Sequence, residues 1–433
     1  MEFDLAKYKK VHIVGIKGVG AAALAEILLN SGYEISGSDV KEDFITTSSA
    51  LKNAKIPIFG FGEIDFSDID AVIRSVAYNE ENNIDIKSAK AAGLPIFTYP
   101  EVVSGFFNGV FGVAVAGSHG KTTTTAMLAD ILHKAGLNVS AIVGSRVNEW
   151  GSGAKAGDLK KSDAVFALEA DEYKEAFLNY RPKGAIITNI DYDHPDFYKN
   201  KDEYKNSFLK FAQSIPESGF LVANKDDRDL FEITKNLKCK VIFFGKEDLN
   251  KFNLKIPGEH NLMNANAAYL AAIELGVKKD EAKKYLEGFK GTARRFEILC
   301  HKDKAVIIDD YAHHPSEVRA TLRGAREIFP KKKIVAVFQP HTYSRTKMFF
   351  YEFIEALKLA DEVVLTDVYA SARESFDASV SMREISEKIG ERSFFVKDKK
   401  DLPEHCRKYL NEDVALIFMG AGDIWQSARE ICA

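Results

Sequence analysis

Short apolar runs rich in Val, Ile and Ala recur along this chain, each followed by a turn of glycines or carboxylates and then by a longer stretch with helical spacing. Val11-His12-Ile13-Val14 reads as a first strand, an alanine-rich segment to about Asn30 as a helix, and the run ending near Asp39 as a second strand. Further strand-like runs at Ile69 to Ser75 and Leu94 to Phe97 complete a small parallel α/β unit over residues 1–107, with a break at Asn108-Gly109. The run Phe111 to Ala116 opens a second unit, 108–292. Its helix, from about Thr122 to Ala135, is closed by Gly136, and strands are expected at Val139 to Val143, Ala164 to Leu168, Ala185 to Thr188, Phe220 to Ala223 and Val241 to Phe244. Beyond Gly291-Thr292 a third series occupies 293–433, with strands at Ala305 to Ile308, Ile334 to Phe338, Glu362 to Thr366 and Val414 to Phe418. The expected fold is α/β in three consecutive domains: Rossmann-like, P-loop ATPase-like and Rossmann-like again.

Composition narrows the functional class. A chain of 433 residues exceeds one hydrophobic core, and with 46% hydrophobic and 28% charged residues it reads as globular. The formal net charge of -4 gives no basic footprint for nucleic acid. No apolar stretch is long enough to span a membrane, and Met1 to Lys10 is charged, so no membrane partner and a cytoplasmic location are expected. Cys239, Cys300, Cys406 and Cys432 are far apart and form no C-x-x-C pair, which predicts free thiols in a reducing compartment.

The sharpest chemical signal is Gly117-Ser118-His119-Gly120-Lys121-Thr122-Thr123, between a strand and a helix. Glycines let the backbone wrap an anion, helix N-terminal N–H groups favour its charge, the lysine pairs the outer phosphates and the threonine hydroxyl can ligate Mg²⁺. Val115 stands where the full motif would have glycine, so the loop is a shortened G-x-x-G-K-T form. A nucleoside triphosphate is therefore expected. Glu169, in Glu169-Ala170-Asp171-Glu172 at a strand end, is the first candidate for a Mg²⁺ ligand, and His194, in Asp193-His194, for a second cation. Gly258-Glu259-His260-Asn261 and Asn264 offer groups for a purine edge or, equally, for capping a helix. Arg294 and Arg295 suit either phosphate contact or a surface ion pair. Asp309 to Pro315 and Gln339 to Arg345 follow strands, at the edge where open α/β sheets bind ligands. Near the N-terminus Gly18, Gly20 and Ala23 fit G-x-G-x-x-A with Asp39 about 20 residues on, a dinucleotide-like signal that leaves an NAD-dependent oxidoreductase as one alternative. Asn224-Lys225-Asp226-Asp227 matches the guanine-reading N-K-x-D, but no Asp between Thr122 and Asn224 opens a D-x-x-G switch, which disfavours a GTPase.

Together the segments AGSHGKTTTT, EADEY, TNIDYDH, GEHNLMNA, RRFE, DDYAHHP and FQPHTYSRT resemble the Mur ligase family over nearly the whole chain. FQPHTYSRT is closer to the alanine-adding members than to those that attach a whole tripeptide, which remain the main alternative. The resemblance implies an ATP-dependent carboxylate–amine ligase: the lactyl carboxylate of UDP-N-acetylmuramate attacks the γ-phosphate of ATP, and L-alanine captures the acyl phosphate. It further implies that Lys121 holds the outer phosphates, that Thr122 and Glu169 hold one Mg²⁺ and His194 a second, and that His260, Asn261 and Asn264 lie at the adenine, Asp310 at the ribose and Arg295 at the phosphates. Gly18, Gly20 and Asp39 would then serve the UDP-sugar, with Lys17 adding a cation near its phosphates. His313, His341, Tyr343 and Arg345 would orient the substrates, Arg345 pairing the alanine carboxylate, and Thr342 replaces an arginine common at that place. Lys205 and Lys210 are the candidates for the carbamylated lysine of other members. A monomer or weak homodimer is expected.

Overall fold

A computed structural model describes residues 7–42, 47–248, 252–369 and 374–433. Three sheets follow one another along the chain. The first has strands β1 (Lys10–Val14), β2 (Glu34–Asp39), β3 (Ile58–Gly60), β4 (Ala71–Arg74) and β5 (Ile96–Thr98), all parallel, in the order β3-β2-β1-β4-β5. The second has β6 (Phe111–Ala116), β7 (Val139–Val147), β8 (Ser152–Lys155), β9 (Val165–Glu169), β10 (Gly184–Ile187), β11 (Phe220–Asn224) and β12 (Lys240–Phe244), in the order β12-β11-β10-β6-β9-β7-β8. The third has β13 (Glu297–Lys302), β14 (Ala305–Asp310), β15 (Lys333–Phe338), β16 (Glu362–Leu365), β17 (Ser393–Phe395) and β18 (Val414–Met419), in the order β13-β14-β18-β15-β16-β17. Among the described residues, the edge strands β8 and β13 are the ones that join their sheets antiparallel.

Central strands such as Val113 to Ala116, Ala305 to Asp310 and Val414 to Met419 are buried along their length, because helices cover both faces of a parallel sheet; this is why they read as apolar runs rather than alternating ones. In each of the first two sheets the direction of winding reverses beside the central strand, β1 or β6, and the glycine turns at Gly15–Gly20 and Gly117–Gly120 leave the carboxyl ends of those strands. Val115 lies within β6, fully buried and paired to Glu169 and Ile186, so the glycine turn opens only at Gly117.

Contacts divide the chain into two compact units: Met1–Asp191, Lys205–Leu254 and Met263–Thr292 form the first, and Tyr192–Tyr204, Lys255–Leu262 and Ala293–Ala433 the second. The first unit carries two sheets, tied together where Asn30, ending the helix Val19–Asn30, donates to the carbonyls of Ala156 and Gly157 at 3.1 and 3.2 Å, and where Ser152 of β8 donates to Glu26. Asn108-Gly109 forms the last turn of the helix Tyr99–Gly109 rather than an extended linker.

One expectation is overturned among the cysteines. Cys300 and Cys432 form a disulfide, while Cys239 and Cys406 are free and buried. The partners are 132 residues apart and meet only because the last helix, Trp425–Cys432, packs on the edge strand β13. Spacing rules for cysteines see sequence neighbours and miss such a pair.

His12, in the middle of β1, is fully buried between Ser36 Oγ at 2.9 Å and Ser38 Oγ at 3.1 Å, with Phe66 edge-on at 5.6 Å. Burial pushes its imidazole down to about 4, against a smaller opposing pull from Asp85. Between about pH 6.5 and pH 4 the unfolded chain takes up a proton that the folded chain refuses, so stability is full above pH 6.5 and falls with pH by up to about 3 kcal/mol. Urea unfolding at pH 7.5 and pH 5 checks this: His12→Gln should flatten the difference, and an equal pH dependence in that variant would remove His12 as its cause.

Candidate active site

The phosphate-loop turn depends on two glycines in left-handed backbone, Gly117 (φ 130°) and Gly120 (φ 83°). A Cβ on Gly117 would stand 2.1 Å from Thr188 Oγ1, and one on Gly120 2.3 Å from Asn264 Oδ1, so neither position accepts a side chain. The end of β10 staples the loop in place. Ser118 N–H donates to Asn189 O at 3.2 Å, His119 N–H to Asn189 Oδ1 at 3.0 Å, and Thr188 Oγ1 to His119 O at 2.6 Å. Asp191 N–H donates to Ser118 Oγ at 2.8 Å, and the His119 ring lies 3.0 Å from Asp191.

Lys121 begins the helix Lys121–Lys134 and folds its ammonium back over the loop, to Gly117 O at 2.5 Å, Ser118 O at 3.1 Å and Glu172 Oε2 at 2.8 Å. Burial alone would lower its pKa, but Glu172, Asp171 and Glu169 outweigh it and hold the group above its ordinary value. Glu172 is fully buried, and burial pushes its carboxyl up to about 7 against the pull of Lys121. Thr122 Oγ1 donates to Glu169 Oε1 at 2.8 Å, while Glu169 Oε2 accepts the Gly144 N–H of β7 at 2.6 Å. A hydroxyl and a carboxylate brought into contact beside a phosphate loop make an oxygen donor pair of the kind a small hard cation takes, so the residues present fit Mg²⁺.

In the first sheet the turn after β1 brings Gly18 and Gly20 to the start of the helix Val19–Asn30. A Cβ on Gly20 would lie 2.6 Å from the Tyr99 hydroxyl, so any larger residue there has to displace that ring. Asp39 accepts the Lys17 and Val40 N–H groups at 2.7 and 2.8 Å. The Lys17 ammonium turns to the carbonyls of Val40 at 2.7 Å and Glu42 at 2.8 Å, so its charge is already hydrogen-bonded to the chain. A cavity of about 580 Å³ opens beside it, lined by Lys17, Asp39, Ser48, Ile56, Phe59 and Glu63 among others.

In the second unit His194 adopts left-handed backbone (φ 56°), held by its N–H to Asp193 Oδ1 at 2.7 Å. Asp193 receives a two-pronged pair from Arg345, Nε at 2.9 Å and Nη2 at 3.1 Å, with both residues buried. Burial would raise the Asp193 carboxyl, but the guanidinium, with His194 and His314, holds it far below the usual range. The third prong of Arg345 reaches His341 O at 3.1 Å. His341 stacks on Tyr369 at 5.7 Å and meets His313 edge-on at 6.2 Å; His313 meets Tyr311 at 5.3 Å. The Tyr343 N–H donates to Glu374 at 2.6 Å. Asp310 spends both oxygens on backbone, accepting from Phe296 and Ala312 N–H at 2.7 Å each, and Arg295 lies 3.6 Å from Glu317 and 5.1 Å from the Tyr311 ring. Asn261 donates to Pro257 O at 2.6 Å, and His260 is exposed on the first turn of the helix Glu259–Glu274.

The first unit therefore gathers Gly117 to Thr123, Glu169 and Asn264 at one place. The second gathers His194, Arg345, His341 and His313 around one buried ion pair. Lys205 and Lys210 both carry carboxylate partners, Lys205 with Asp229 and Glu232 and Lys210 with Glu175. In the N-K-x-D segment Asp227 caps the helix Arg228–Thr234 and holds Ile190 N–H at 2.6 Å, a structural role that accounts for the match. Sequence reasoning passed over Glu172, Asp193 and Tyr99. The first two stand at strand ends beside residues already singled out, and that position was the available signal.

Comparison with known proteins gives three family descriptions in series: "Mur ligase family, catalytic domain" over residues 10–110, "Mur ligase middle domain" over 115–252, and "Mur ligase, glutamate ligase domain" over 294–422. The chain is 39% identical over 456 residues to the UDP-N-acetylmuramate–L-alanine ligase of Clostridium kluyveri, covering 98% of each chain. It is 38% identical over 450 residues to that of Aquifex aeolicus, covering 98% of this chain and 97% of the other. Among solved structures it resembles the UDP-N-acetylmuramate–alanine ligase of Thermotoga maritima, with a TM-score of 0.78, 28% identity and 98% of each chain covered. A murein peptide ligase from Psychrobacter arcticus shares the fold, with a TM-score of 0.71 at 22% identity.

Proposed function

The chain belongs to the Mur ligase family, and from that premise we propose that it joins the amine of L-alanine to the lactyl carboxylate of UDP-N-acetylmuramate, driven by ATP, in peptidoglycan synthesis. The observation that carries this reading is the end-to-end similarity to alanine-adding ligases, joined to a phosphate loop whose Lys121, Thr122 and Glu169 are already in mutual position.

A free carboxylate is a poor electrophile. Transfer of the γ-phosphoryl group to it makes an acyl phosphate and releases ADP; the amine then attacks the acyl carbon, loses a proton and expels phosphate, leaving the amide. Catalysis is mostly positioning and charge neutralisation. Lys121 binds the outer phosphates, and Gly117 to Thr123 wrap them, with the helix-start N–H groups from Gly120 onward as the donors because those of Ser118 and His119 are bonded to Asn189. Thr122 and Glu169 would hold one Mg²⁺ and His194 a second ion, and the chemistry such ions would supply when bound is neutralisation of the phosphoryl charge. We assign His260, Asn261 and Asn264 to the adenine, Asp310 to the ribose, Arg295 to the phosphates, and Gly18, Gly20 and Asp39 to the UDP-sugar. His313, His341, Tyr343 and Arg345 are assigned to the amino acid and to substrate alignment. Since Asp193 occupies Arg345, an amino-acid carboxylate has to share or replace that partner. The corresponding division of labour is UDP-sugar binding by 1–107, ATP binding by 108–292 and amino-acid binding by 293–433, in a cytoplasmic monomer or weak homodimer. Among the described residues no helix is long and apolar enough to cross a membrane.

Phosphate release with UDP-N-acetylmuramate, comparing L-alanine, glycine, L-serine and the tripeptide, tests the substrate. L-Alanine is expected to give the highest kcat/KM. Turnover with the tripeptide alone would overturn the assignment.

A further inference from the structure

Lys121 has three N–H donors, and all three are taken: by the carbonyls of Gly117 and Ser118, which belong to its own loop, and by the Glu172 carboxylate. A phosphate oxygen cannot add a fourth bond to this ammonium. The loop carbonyls move only with the loop, which Thr188, Asn189 and Asp191 staple down, so Glu172 is the one partner that can be exchanged. We propose that Glu172 is the internal ligand a nucleotide displaces from Lys121, and that this carboxylate sets how strongly the loop discriminates nucleotides by their outer phosphates. The inference rests on the reading of the loop as an ATP site.

The chain invests in aiming this side chain. After β9 the backbone passes through two consecutive left-handed non-glycine residues, Lys174 (φ 52°) and Glu175 (φ 55°), a conformation that persists only when its surroundings enforce it. They do: Phe177 is fully buried, face to face with Phe211 at 4.8 Å and edge-on to Phe208 at 5.2 Å, and Glu175 pairs with Lys210 at 3.0 Å. Backbone bonds from Glu175 N–H to Glu172 O at 3.0 Å and from Phe177 N–H to Asp171 O at 2.9 Å close the turn. Without nucleotide, Glu172 supplies the counter-charge a largely buried ammonium requires, and it keeps Lys121 oriented. Once an outer phosphate arrives, the same carboxylate is a competing and repelling anion. A nucleotide too short to reach Lys121 leaves the pair intact.

Calorimetric titration of the full chain at fixed Mg²⁺ tests this with a non-hydrolysable ATP analogue and with AMP. Glu172→Gln should lower the Kd for the analogue about tenfold, equivalent to about 1.4 kcal/mol, and leave that for AMP unchanged. Glu172→Asp, which keeps the charge on a shorter arm, should fall between. In a Lys121→Met background, Glu172→Gln should lose most of its effect on analogue affinity, since only direct repulsion remains to be relieved. Equal or weaker analogue binding by folded Glu172→Gln would overturn the exchange, as would a matching gain for AMP. If the unaltered chain failed to bind the analogue at all, the ATP reading itself would fall, and with it this inference.

Discussion

Replacing Lys121 with alanine is expected to lower ATP-dependent phosphate release by on the order of 10³-fold while leaving UDP-N-acetylmuramate binding nearly intact. The size follows from what the group does. Its ammonium hydrogen-bonds the loop carbonyls of Gly117 and Ser118, and it is kept protonated by Glu172, Asp171 and Glu169. On the proposed role of Lys121, removal takes a preorganised cation from the place where charge would shift between γ- and β-phosphate oxygens. On the assignment proposed above the UDP-sugar is bound by Gly18, Gly20 and Asp39, which belong to the first sheet and the helix Val19–Asn30 beside it, whereas Lys121 follows β6 of the second sheet, so that binding is expected to be spared. Steady-state phosphate release and a separate titration of the UDP-sugar check the two halves. Retained turnover would remove Lys121 from the mechanism.

The second large effect is structural. Asp193→Ala leaves the Arg345 guanidinium buried without its counter-charge, and breaking one side of a buried pair costs about 3–5 kcal/mol. The loss should appear in denaturant unfolding of the second unit across neutral pH. Because the Asp193 carboxyl is held far below its usual range, the pair's contribution is full above the unfolded value near 4 and disappears only in strong acid. The double variant Asp193→Ala, Arg345→Met should recover most of the loss, since no unpaired charge remains. A single variant within about 1 kcal/mol of the parent chain would show the pair to be dispensable. Arg345→Ala should in addition raise the KM for L-alanine; an unchanged KM would limit Arg345 to positioning His194 and His341.

The sequence revealed most about the interior strands and least about the margins. β6, β9, β10, β14, β15 and β18 are buried on both faces, so their identity is written as uninterrupted apolar residues. β3, β8 and β17 escaped notice because these edge strands are short, and Ser-Gly-Ala-Lys or Ser-Phe-Phe carries no period to detect, while β13, six residues long, is partly exposed along its length and shows no long apolar run. The same division holds at the site. Lys121, Thr122 and Glu169 were legible because each sits beside a strand end whose turn chemistry is local. Which acceptor takes a lysine's third hydrogen, or which carboxylate receives Arg345, depends on residues 51 and 152 positions away, and no local pattern encodes that. Asn264 was visible as a helix-start amide, but its contact with the Gly120 backbone needed the fold.

The bond between Cys300 and Cys432 has a topological consequence. The covalent circuit it closes spans 132 residues and contains β14, β15, β16, β17 and β18, leaving outside it only the part of the third sheet that precedes Cys300. While it is intact, a single proteolytic cut in any loop of that circuit opens a ring without releasing a fragment. The nicked chain would run as one species on a denaturing gel and separate into two only after reduction.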